Sequence, residues 1–317
     1  MTEHTEPATP VHEPMTTLLA APAGALRAFS NRTRILLEMI KFEHTIFSTP
    51  FALAAAVVAA NGMPHWRALV WIVVALVGAR SAAMAFNRIV DSKLDALNPR
   101  TKMRAIPTGQ VSIGQAIVFA IVASALLVLA AWQLNPLALE LSPLALLIVF
   151  GYSFTKRFTI WSHLFLGFAL GIAPMGAWVA VRGMLEPAPF LLGAAVVFWL
   201  FGFDILYALQ DAEFDRTVGL FSIPARLGNA RALVFSRVGH AIMLCLMIAF
   251  GFAAQLHWIY ALGVAMVAAL IVYEQSLVKP TDLSRLDFAF FNLNGYVGIG
   301  YFLFTLADVL VFRRAWN

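Results

Sequence analysis

Asp91 and Asp95 in NRIVDSKLD, with Asn87 one helical turn before them, and Asp211 and Asp215 in QDAEFD carry side-chain oxygens at matched spacing, the second pair 120 residues after the first. Residues four apart share one face of a helix, so each pair presents two carboxylates side by side. One such pair alone would be an ordinary solvated helix cap. Four acids gathered together repel unless something positive sits between them. Hard divalent cations such as Mg²⁺ take oxygen ligands and bridge one or two carboxylates to substrate phosphates. The predicted chemistry is a metal-held diphosphate, with Asn87, Asp91, Asp95, Asp211 and Asp215 as the protein's oxygen donors.

The elements that must position these groups are membrane helices. Of 317 residues, 61% are hydrophobic and 12% charged, and mean hydropathy is +0.81. Such a composition predicts an all-α, polytopic membrane protein rather than helices with one wet face. Apolar runs fall at roughly 45–61, 67–90, 113–133, 137–154, 158–181, 188–209, 236–255, 258–277 and 288–312, which reads as nine transmembrane helices. Residues 1–25 are polar and acidic and read as a disordered tail, leaving 26–317 as the transmembrane domain. The stretch from Leu26 to His44 is expected to extend the short first helix at a tilt. Arg27, Arg88, Lys93, Arg100, Lys156, Arg216 and Arg226 crowd one side, which predicts a cytoplasmic N-terminus and an external C-terminus. The net charge of +5 therefore reports orientation, and nucleic-acid binding is excluded. A single cysteine, Cys245, allows no intramolecular disulfide and no metal-thiolate site.

Both acidic pairs precede long loops, 91–112 and 210–235, whose prolines, arginines and acids argue for function. The equal spacing hints at an internal duplication, helices one to four resembling five to eight. Arg80, Asn87 and Asp91 lie on one stripe of the second helix, and Asp204, Asp211 and Asp215 repeat the spacing on the sixth. Arg80 sits about 16 Å below Asp91 at 1.5 Å per residue. Charges that deep face a cavity or a partner, so Arg80 and Asp204 are either an ion pair with each other or groups aimed at a ligand. Lys102 and Arg104, in NPRTKMRAIPTG, and Lys156 and Arg157, in YSFTKRFT, are candidate diphosphate contacts, Arg being suited to bidentate binding. Glu140 and Asp308 are expected to snorkel to the interface, and His240 and Asn294 to hydrogen-bond between helices. A secondary transporter of an organic anion also uses repeats and a midplane Arg, but would place its coupling acids near the midplane rather than at helix ends.

In order, NxxxDxxxD, RTxxR, YSFTKRFT, DILYALQDAEFD and GLFSIPARLG resemble the UbiA superfamily of intramembrane aromatic prenyltransferases, over the chain from about residue 30 to the end. FNRIVD, NPRT, IPTG and FDRTVGLFSIPARLG are similar to its bacterial 4-hydroxybenzoate-polyprenyltransferase-like group, including the futalosine branch of menaquinone biosynthesis. The resemblance implies nine helices around a central cavity. It also implies Mg²⁺ as cofactor, and a polyprenyl diphosphate and a phenolic aromatic acid (4-hydroxybenzoate or 1,4-dihydroxy-6-naphthoate) as substrates in ubiquinone or menaquinone biosynthesis. The implied location is the bacterial cytoplasmic membrane, with the motifs on the cytoplasmic side and no obligate protein partner. Acceptor-side candidates are Lys41, Glu43, His44, Arg80, Asp204 and Tyr207, with His44, Glu43 and Asp204 as candidate bases for the ring proton. The chain departs from the common pattern at Arg88, where many members carry Asp, at Ala105 after Arg104, at Phe221 before Ser222, and at His44.

Overall fold

The computed structural model describes residues 34–36, 38–40, 45–286 and 288–312. The expected tail, Lys41, Glu43 and His44 lie outside the described residues, as does most of the expected extension of the first helix. The architecture is all-helical, and among the described residues the only β pairing is an isolated bridge between Lys279 and Asp282. The elements are α1 (Thr45–Ala60), α2 (Trp66–Val90), the short α3 (Ser92–Leu97), α4 (Ile113–Leu134) and α5 (Pro136–Gly151), which tightens into a 3₁₀ turn, Tyr152–Arg157. Then come α6 (Ser162–Arg182), α7 (Pro187–Ala208), the short α8 (Ala212–Thr217) and α9 (Ile223–Leu227), α10 (Asn229–Ala253), α11 (Trp258–Leu277) and α12 (Asn294–Val311).

Eight of these segments are long and apolar enough to cross a membrane, and the protein is a multi-pass membrane protein. Among the described residues the count is eight where nine were expected. The run at 45–61 folds as a helix of 16 residues, about 24 Å at 1.5 Å per residue, short of a hydrocarbon core of about 30 Å. Outward-facing Val118, Ile121, Val122, Leu147 and Val272 remain exposed, as lipid-facing residues are expected to be. α1 and α7 occupy the interior. Ala52, Ala54, Ala55 and Ala56 of α1 are fully buried beside Trp199 and Phe203 of α7, since small residues let helices approach where no hydrophobic force draws them together.

The seam that matters for the site lies between α6 and α7. A Cβ on Gly167 would stand 2.5 Å from the Val197 carbonyl oxygen, and one on Gly171 would stand 2.7 Å from that of Gly193. Only glycine permits that backbone approach. Asp308 does not snorkel: it is 1% exposed, and its carboxylate accepts from the backbone N–H of His257 (2.9 Å) and Tyr260 (3.0 Å), satisfying orphan donors at the start of α11. His240 and Asn294 do join helices. Trp199 Nε1 donates to Asn294 Oδ1 at 2.8 Å, and His240 Nδ1 lies 3.0 Å from Gln275 Nε2.

Candidate active site

The two acidic motifs fold alike. Asp91 ends α2 and precedes α3 with φ −91° and ψ 3°, while Asp211 precedes α8 with φ −100° and ψ 0°. Asp95 and Asp215 then fall inside the short helices that follow. The four carboxylates line one cavity of about 290 Å³, together with Asn87, Arg100, Arg104, Lys156 and Arg157. Both long loops contribute to its wall, through Asn98, Arg100, Thr101 and Arg104 on one side and Leu220 on the other.

Arginines balance the acids. Arg104 Nη1 donates to Asp95 Oδ1 at 2.7 Å, and Arg157 Nη2 to Asp91 Oδ1 at 3.3 Å. Arg100 grips Asp211 through both its Nε, at 2.9 Å from Oδ1, and its Nη2, while its Nη1 donates to Tyr207 Oη at 3.0 Å. Asn98 Nδ2 adds a third bond to Asp211 at 3.1 Å. Asn87 Nδ2 donates to Asp91 Oδ2 at 3.0 Å, and Ser222 Oγ to Asp215 Oδ2 at 2.9 Å. Burial pushes the Asp91 carboxyl above its ordinary range against the pull of Lys156 and Arg157. Burial opposes the charge on Arg100, but the hydrogen bonds and charge of Asp211 outweigh it and raise its pKa.

Divalent-cation chemistry suits this donor set. Among the described residues no three His, Cys, Asp or Glu side chains form a ready-made metal cage. Mg²⁺ needs only one or two protein carboxylates and fills its remaining positions from water and substrate phosphate. Asp95 Oδ2 is buried without a hydrogen-bond partner, with Arg88 Nη1 4.0 Å away. An orphaned carboxylate oxygen of this kind calls for a positive ligand.

Several candidates resolve differently from their expected pairings. Lys102 lies on the exposed side of its loop and does not line the cavity. Arg100, whose place in the sequence predicts only an orientation charge, does. Arg80 does not pair with Asp204. Its Nε is buried with no hydrogen-bond partner at the deep end of the cavity. Asp204 instead lies 2.7 Å from His163 Nδ1. Arg88, the departure from the common motif, is 7% exposed and donates to the Met39 carbonyl at 3.3 Å.

A second cavity, of about 360 Å³, lies between α2, α4, α5 and α6 and is walled almost wholly by apolar side chains. The two share Arg80, Tyr152 and Leu170. Leu144, Leu185 and Phe190, which help line the apolar cavity, are about half exposed.

Residues 48–296 match the model of the UbiA prenyltransferase family. A Shewanella woodyi protein named 4-hydroxybenzoate octaprenyltransferase is 32% identical over 82% of this chain and 90% of its own length. Its Vibrio parahaemolyticus namesake is 33% identical over 77% of this chain and 86% of its own. Among solved structures, the apo structure of a UbiA homolog from Aeropyrum pernix K1 superposes with a TM-score of 0.75 at 37% identity, covering 85% of this chain and 98% of that one. A UbiA homolog from Archaeoglobus fulgidus bound to DMAPP and Mg²⁺ shares the fold, with a TM-score of 0.66 at 20% identity over 86% of this chain and 99% of that one.

Proposed function

Because this chain belongs to the UbiA prenyltransferase family and is a membrane prenyltransferase, we propose that it transfers a polyprenyl group from polyprenyl diphosphate to a ring carbon of a phenolic aromatic acid of the 4-hydroxybenzoate kind. The observation that carries this reading is the junction of a charged cavity holding four aspartates with an apolar cavity, at Arg80 and Tyr152. A diphosphate belongs in the first, its isoprenoid tail in the second, and the reacting allylic carbon between them. A transporter reading has no use for two matched acid pairs at helix ends beside an apolar cavity.

Asn87, Asp91, Asp95, Asp211 and Asp215 would hold Mg²⁺, which when bound neutralises the diphosphate and assists its departure. Arg100, Arg104, Lys156 and Arg157 supply fixed positive charge where the leaving group's charge grows. Arg80, with an unpaired buried Nε, suits the acceptor's carboxylate. As the allylic carbon–oxygen bond breaks, the ring carbon attacks and a new carbon–carbon bond forms. The ring proton passes to Asp204, and its bonding electrons restore aromaticity. Apolar walls keep water from the allylic cation. With the motifs at the cytoplasmic face of a bacterial inner membrane, soluble acceptor and metal reach the site from the cytoplasm.

The test is Mg²⁺-dependent product formation by the full chain in lipid vesicles, with polyprenyl diphosphate and either 4-hydroxybenzoate or 1,4-dihydroxy-6-naphthoate. Prenylated product from one acceptor, abolished by chelator and by Asp91→Asn, supports the reading. No product from either acceptor would refute it.

A further inference from the structure

His163 lies outside every motif, yet it is fully buried at the start of α6 with both ring nitrogens engaged. Nδ1 is 2.7 Å from Asp204 Oδ2, and the backbone N–H of Ile223 points at Nε2 from 3.4 Å. An N–H donor at Nε2 requires that nitrogen to be the acceptor, so the ring proton of the neutral imidazole sits on Nδ1 and donates to Asp204. An imidazolium would set Nε2–H against the Ile223 N–H. A proton on Asp204 Oδ2 would displace the one on Nδ1 and push it toward the same clash. Oδ2 is thus held as an acceptor. Among the described residues this is the carboxylate's hydrogen bond; its side chain is 19% exposed and lines the cavity, where the charge of Lys156 also acts on it.

The segment on the far side of the imidazole is itself anchored. Ser222, next to Ile223, is fully buried, donates to Asp215 and accepts from the Ala225 N–H at 3.3 Å to cap α9. The glycine seam at Gly167 and Gly171 fixes α6 against α7 and so holds His163 beside Asp204.

We propose that His163 is a positioning residue for prenyl transfer: its Nδ1–H orients the Asp204 carboxylate so that Oδ1 receives the proton leaving the acceptor ring. The inference rests on the prenyltransferase reading and on Asp204 as the base. The step balances. The ring carbon–hydrogen electron pair returns to the ring, the proton goes to Asp204 Oδ1 and later to solvent, and the diphosphate departs with the electron pair of the broken carbon–oxygen bond.

The experiment compares the full chain in lipid with His163→Ala and with His163→Asn, whose side-chain amide keeps an N–H donor near the position of Nδ1. Acceptor is supplied with ring hydrogen or ring deuterium. His163→Ala is expected to lower kcat by about ten- to a hundredfold, to leave the KM for the diphosphate unchanged and to unmask a primary deuterium isotope effect. His163→Asn is expected to recover most of the rate. A purely structural role would not create the isotope effect, and its absence, or loss expressed only in the diphosphate KM, overturns the proposal. NMR of protein labelled in histidine provides a readout independent of turnover, the His163 signals being assigned from the variant. An Nδ1–H tautomer perturbed by Asp204→Asn supports the geometry, and an Nε2–H tautomer or an imidazolium overturns it. A wild-type protein that prenylates no acceptor removes the catalytic role along with the reading beneath it, and the tautomer then reports separately on the pairing.

Discussion

Each aspartate of the two motifs has a different neighbour, and the neighbours assign different consequences to its loss. Asp95→Asn keeps the shape of a side chain that is 8% exposed but removes the charge facing Arg104 and Arg88. Product formation is expected to drop by at least about a hundredfold, since a metal or donor charge acting on the leaving group contributes several kcal/mol. Arg100→Ala strips Asp211 of a forked partner and Tyr207 of its donor. The KM for diphosphate should then rise by about tenfold or more, whereas Lys102→Ala, on the exposed face of the same loop, should change it by less than about twofold. Steady-state kinetics on the pair checks both. The acids were legible because their spacing repeats. Arg100 was not, because a loop arginine serving orientation and one gripping a buried carboxylate look identical until the loop is folded. His163 gave less still: a lone histidine in an apolar run carries no period and no partner in sequence.

At the scale of elements, helix existence followed from apolar length, while helix ends and helix neighbours did not. Asp308 illustrates the gap. Its place near the end of an apolar run predicted an interfacial tip, but packing of α12 on α11 brings it under orphan backbone donors at His257 and Tyr260. Asp308→Ala is expected to cost about 1–2 kcal/mol, the range for a lost N-terminal cap, seen as a lower Tm in detergent with the chemistry of the remaining folded protein intact. Gly167→Ala acts on a different junction. Its new methyl would meet the Val197 carbonyl, and separating α6 from α7 should cost about 1–3 kcal/mol. Because that seam also sets the distance from His163 to Asp204, activity should decline at temperatures well below the Tm, which a paired melt and rate series would reveal.

At the scale of the molecule, the feature that sequence could not disclose is the meeting of two cavities of opposite character, since one joins motifs 120 residues apart and the other takes its wall from four separate helices. Gly176 offers a direct probe. It lines the apolar cavity, and a Cβ there would meet nothing within 4 Å. Gly176→Phe should therefore occupy space without disturbing packing, leaving Tm unchanged while shortening the longest isoprenoid accepted, as measured by mass spectrometry of products from a series of diphosphates. The half-exposed rim at Leu144, Leu185 and Phe190 carries a broader consequence. Moving an isoprenoid into water costs about 0.8 kcal/mol per carbon group, so a product made here is never set adrift in the cytosol. It stays in the lipid, so whatever uses it next must meet it within the same membrane.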